Sequence, residues 1–316
     1  MQAHTLQTAL RIGLIICLTW AGQAGAANDL TLKPTRVAQD VYVVVGDLDA
    51  QTYGNNGLNN NLGFVVSTEG VLVINAGPTT QVARALHDAI KKITIQPIKW
   101  VVNVNSQSHY WLGNDYFKQL GIPILAHAEA IRLMRELGAG QLQSAQTLLK
   151  EKAELTALAY PNESVGANRI LQMGKTKIEL LHFGSAHTAG DLVLWLPDQK
   201  ILFTGDIVFT QRMLGVIPVG NSGGWIKAFD QAMALKPRIV VPGHGKPTDI
   251  KTATKDTRDY LMHLRNGAQT ILAKGGSLQD AVEKTDQSKF KYLVNFDLLA
   301  KRNMNQVFTE MEQESF

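Results

Sequence analysis

Cysteine is all but absent: the 316-residue chain has one, Cys17. A lone thiol excludes an internal disulfide. It also lies in the apolar run Ile12–Trp20, away from every motif described below. Cysteine nucleophiles and thiolate metal ligands are therefore excluded from any site built by the rest of the chain. A metal would have to be held by His, carboxylate, Tyr or amide oxygen. Basic blocks are missing too. Lys and Arg number 31 against 27 Asp and Glu, a net charge of +4, and they are scattered. No nucleic-acid partner is expected. Long hydrophobic runs are lacking, since Ile12–Trp20 is too short to span a bilayer comfortably. Acidic residues are absent from Met1–Ala27, which carries only Arg11 among Lys and Arg and ends on Ala24-Gly25-Ala26, an A-x-A pattern. We expect residues 1–26 to be a signal peptide, with a mature chain from Ala27. The protein would be periplasmic or secreted, with no stable membrane anchor after cleavage.

The rest is ordinary globular composition, 45% hydrophobic and 18% charged. Residues 41–47 (VYVVVGD) read as a strand, and 62–77 as a hairpin around Glu69-Gly70. Between them lies the Gly/Asn cluster YGNNGLNNN, a loop. Val82, Leu86 and Ile90 recur at helical spacing after Thr79. Strands follow at 98–105 and 123–127, then a long charged helix over 128–157 that Gly138-Ala139-Gly140 is expected to break. Strands return at 168–174, 177–184, 191–198, 200–206 and 238–245, with a helix at 223–235. Everything from Lys251 reads helical. Two similar halves without a linker suggest one α/β domain over 27–250 and a helical extension over 251–316. That extension has two roles open to it, capping a site or forming a dimer.

Three apolar strands run into glycine-flanked ligands: His187 in GSAHTAGD, Asp206 in FTGD and His244 in VPGHG. Loops converge at strand ends, and imidazole with carboxylate suits zinc. Together with VLVINAGPT at 71–79, these segments resemble the metallo-β-lactamase superfamily over roughly residues 35–250. The C-terminal AKRNMNQVFTEMEQE more loosely resembles quinoprotein-relay-associated metallohydrolases. The superfamily resemblance implies a four-layer αβ/βα sandwich with a metal site at one edge. It also implies that His187 binds a first metal, Asp206 bridges two, and His244 binds the second.

The stretch NVNSQSHYWLGN (103–114) departs from that pattern. Where the family carries H-x-H-x-D-H, Asn105 and Gln107 take the first two His positions. His109 takes the Asp position and Tyr110 the third His position. Asn75 replaces the usual Asp of V-I-D-x-G. Neutral amides are weak zinc donors, so the first site is expected to stay empty. The second keeps His109, Asp206 and His244. His187 is within reach as a fourth ligand, and Tyr110 as a further one if deprotonated. One zinc ion or none is expected. His109 and Asp206 are the candidate catalytic groups, His109 only where it does not bind metal. The expected activity is hydrolysis of a small ester, thioester, lactone or amide. An inactive periplasmic binding or assembly factor, and a β-lactamase, are the alternatives.

Overall fold

A computed structural model describes residues 30–314, so the expected signal peptide and Cys17 lie outside the described residues. The first half forms a seven-stranded sheet whose spatial order follows the chain. Its strands are β1 (Thr35–Ala38), β2 (Val41–Val44), β3 (Leu62–Ser67), β4 (Gly70–Ile74), β5 (Ile98–Val102), β6 (Ile124–His127) and β7 (Glu163–Val165). The first four pair antiparallel and the rest parallel. Parallel neighbours require crossovers. These are α1 (Thr80–Lys91), the short α2 (Ser108–Trp111) with α3 (Asn114–Gln119), and α4 (Ala128–Leu149). Thr79 caps α1 by accepting from Val82 N at 3.2 Å.

The second sheet contains β8 (Asn168–Met173), β9 (Thr176–Leu181), β10 (Val193–Leu196), β11 (Ile201–Phe209) and β12 (Ile239–His244). Its order is β12-β11-β10-β9-β8, and α5 (Ser222–Ala234) makes the parallel crossover between β11 and β12. Strand β4 shows how the layers arise. Leu72 and Ile74 enter the core between the sheets, while Val71 and Val73 enter the core under α1. Side chains alternate across a strand, so burial on both faces demands the unbroken run VLVI. The expected αβ/βα sandwich is what forms.

One expected break does not occur. Helix α4 runs through Gly138-Ala139-Gly140 without interruption. Gly138 serves close packing instead: a Cβ there would stand 3.0 Å from the Trp111 ring. Trp111 is fully buried beneath α4 and donates to Ser106 O at 3.0 Å and Gln141 Oε1 at 2.8 Å.

The C-terminal helices are α6 (Ile250–Ala253), α7 (Asp259–Leu272), α8 (Leu278–Lys284) and α9 (Phe296–Glu314). They cover the outer face of the second sheet, where Tyr260, Leu264, Val307 and Phe308 share a core with Val208 and Trp225. They also grip the loop that follows β11. Asn303 Oδ1 accepts from Val216 N at 2.9 Å, and its Nδ2 donates to Leu214 O at 2.7 Å. Met213 N donates to Val294 O at 2.9 Å. Among the described residues no helix is long and apolar enough to cross a membrane.

Removing the Asn303 amide strands a buried carbonyl and an N–H. Asn303→Ala is expected to lower stability by about 1–3 kcal/mol, read as a shift in the urea midpoint at unchanged m-value.

Candidate functional site

Beyond β5 the chain runs through Asn103–Gln107 into the single turn of α2. Asn105 Oδ1 accepts from Gln107 N at 2.7 Å, so the amide starts that turn much as a helix cap does. The turn presents His109 and Tyr110 as consecutive buried side chains. Asp206 comes from β11, whose ladder with β12 is irregular on both sides of Gly205. Such irregularities re-aim side chains. His244 ends β12, and His187 comes from the loop between β9 and β10.

His109, Asp206 and His244 form a buried group whose ligand atoms all lie within 4.8 Å of one another. His244 Nε2 is 3.2 Å from Asp206 Oδ1, and the His109 and His244 rings are 5.4 Å apart. His244 Nδ1 donates to Asn59 O at 2.6 Å, which leaves Nε2 as a lone pair facing the group. Burial drives His109 down to about 3 and lowers His244 in the same sense, so both are neutral near pH 7. Burial opposes a charge on Asp206, but attraction to His244, His187 and His109 once those rings take up protons outweighs it and holds the carboxyl well below the usual range. His109 Nε2 and Asp206 Oδ2 are buried without a hydrogen-bond partner. Neutral imidazoles, an ionised carboxylate, and a ring nitrogen and a carboxylate oxygen without partners fit one bound cation.

The altered positions pair with protein groups. Gln107 Oε1 lies 2.7 Å from His187 Nε2 and accepts a hydrogen bond from it. Asn105 Nδ2 donates to Asp191 Oδ1 at 2.8 Å, and Asp191 also accepts from Thr188 N at 2.7 Å and Thr188 Oγ1 at 2.6 Å. Burial nonetheless pushes Asp191 up to about 7. His187, expected as a ligand, thus has its Nε2 engaged by an amide, although that atom is only 3.5 Å from Asp206 Oδ2. Tyr110, expected as a ligand if deprotonated, donates its hydroxyl to Asp206 Oδ1 at 2.5 Å. Burial, with Asp206 beside it, raises its pKa well above the ordinary value. Asn75 has φ 67°; its Oδ1 accepts from Val104 N at 3.1 Å and its Nδ2 donates to Asn61 O at 3.2 Å. A carboxylate could accept there but not donate.

Sequence reasoning missed the scaffold behind His244. The Asn cluster signals only a turn, yet Asn61 Nδ2 donates to Pro242 O at 2.8 Å and Gly245 O at 2.7 Å. Arg212 is buried with Nη1 3.2 Å from both His244 Nδ1 and Asp49 O. Tyr53, in the loop that follows β2, is 40% exposed and bonds Glu151. His127 and His182 stack with ring centroids 3.8 Å apart, and His87 pairs with Tyr116 at 2.9 Å.

Residues 55–244 match the family described as the metallo-beta-lactamase superfamily. A metallo-beta-lactamase type 2 of Bacillus sp. (strain 170) is 24% identical over 251 residues, 77% of this chain and 94% of the relative. Another from Bacteroides fragilis is 22% identical, covering 69% and 80%. A solved metallo-beta-lactamase from Pontibacter korlensis superposes with TM-score 0.60 at 22% identity, covering 73% of this chain and 99% of that one.

Two outcomes are expected. Asn75→Asp loses a donor and faces a carbonyl with a carboxylate, at a cost of about 1–3 kcal/mol in urea unfolding. Burial first, then His182, lowers His127 to about 4 from an ordinary 6.5. The unfolded chain therefore binds the proton more readily, and stability present above pH 6.5 declines as pH falls toward 4. The fold with His127→Phe, which keeps a stacking ring but cannot titrate, should show a shallower decline in urea midpoints over that range.

Proposed function

The chain belongs to the metallo-β-lactamase superfamily, and from that premise we propose that it is an exported hydrolase using one zinc ion. Its substrate is a small ester, thioester, lactone or amide. The observation that carries this reading is the buried His109–Asp206–His244 group, in which His109 Nε2 and Asp206 Oδ2 have no hydrogen-bond partner. Those three residues would hold the ion and leave a fourth position open, as catalytic zinc sites do. Zinc there supplies Lewis acidity, which polarises a carbonyl and lowers the pKa of water.

The chain's own groups have separable tasks. His244 is held in the ligand tautomer by Asn59 O. With His109 used as a ligand, Asp206 would supply the one negative charge among the three residues facing the ion. The Gln107–His187 pair fills the region where the family's first metal would lie, which favours one ion over two. Export is inferred from the sequence pattern of residues 1–26. A β-lactam, itself a cyclic amide, is the second reading, favoured by relatives that bear the name metallo-beta-lactamase.

Elemental analysis of the mature protein, purified with zinc present, should find one zinc per chain. His244→Ala should lose both the metal and the turnover of ester, thioester, lactone or β-lactam substrates. Absence of bound zinc would sink the proposal. Bound zinc with no turnover across that panel would favour an inactive binding or assembly factor.

A further inference from the structure

The geometry points to Tyr110 as a positioning residue for the metal centre: its hydroxyl holds Asp206 by Oδ1, Oδ2 is left to face the ion, and Tyr110 is not a ligand. This assignment rests on the zinc reading above. Tyr110 is fully buried, and its hydroxyl donates to Asp206 Oδ1 at 2.5 Å. Asp206 Oδ2 is buried and accepts no hydrogen bond. The two oxygens of one carboxylate are thus divided, one to the phenol and one unsatisfied.

The backbone fixes that division. Tyr110 and His109 are neighbours on the one-turn helix α2, so a single turn supplies both a candidate ligand and the support for another. From the other side, β12 presses against the pair at Gly243. A Cβ there would lie 2.5 Å from the Tyr110 hydroxyl and closer still to Asp206 Oδ1. Only glycine leaves room for the hydrogen bond. As a phenolate ligand, Tyr110 would set two anionic oxygens at that same short distance. As a donor it removes the conflict and restrains the carboxylate before the ion arrives. Partners that orient ligands in this way are usually worth a factor of about 10–100 in metal affinity.

The test uses the full mature chain stripped of metal, with zinc affinity measured by chelator competition. Tyr110→Phe should bind zinc about 10- to 100-fold more weakly at unchanged near-ultraviolet circular dichroism. In an Asp206→Asn background the same substitution should have much less effect, because Tyr110 acts through Asp206. Zinc added to the wild type should produce no tyrosinate absorption. Equal affinity in Tyr110→Phe, with the wild type binding one zinc, overturns this assignment and leaves the zinc reading standing. A tyrosinate band overturns it in favour of ligation, and that readout decides even if Tyr110→Phe fails to fold. A wild type that binds no zinc overturns both.

Discussion

A carboxylate buried between two sheets governs this site. Asp206 is almost fully removed from water, and an isolated charge in such a place is too costly to keep. The Tyr110 hydroxyl donates to it, and the imidazoles that converge on it from separate strands would share a cation with it. Tyr110 arrives from the turn after β5, His244 from the end of β12, and His187 from the loop after β9. Each strand end must therefore be set to within a fraction of an ångström. The rigid sheets provide that, and the loops outside them provide the tautomers.

The amides Asn105 and Gln107 make sense in the same terms. An imidazole without a metal would leave a buried nitrogen unsatisfied. Gln107 offers a carbonyl to His187, and Asn105 offers an N–H to Asp191 and a carbonyl to its own turn. Both amides carry a donor and an acceptor, and each satisfies a buried polar partner. Asn75 does likewise, linking Val104 to Asn61. The substitutions form one consistent hydrogen-bonded unit beside a three-residue group that still suits a cation.

The helical extension belongs to this arrangement. Its contacts with Leu214 and Val216 fix the loop that carries Arg212, while Asn295 Nδ2 reaches Leu48 O at 3.1 Å. Arg212 in turn lies against His244 and Asp49. The contacts show the extension bracing loops around the site, which is distinct from the capping and the dimer contact that the sequence leaves open. The framework behind His244 thus draws on residues separated by more than 240 positions.

The sequence by itself determined the sandwich and pointed to His187, Asp206 and His244 as candidate ligands. Apolar runs, glycine turns and helical spacing are local properties, and His187, Asp206 and His244 stand where strands visibly end, whereas His109 is legible only through the family resemblance. It also marked Asn105 and Gln107 as altered. Only the tertiary structure decided what these changes accomplish. Whether Tyr110 ligates or donates depends on a carboxylate 96 positions away, and His187 on an amide 80 positions away. Gly138 looked like a helix breaker because its local preference was visible and the Trp111 ring against it was not. Hydrogen-bond roles are settled by which partner is near, and nearness across a fold is not written in spacing along the chain.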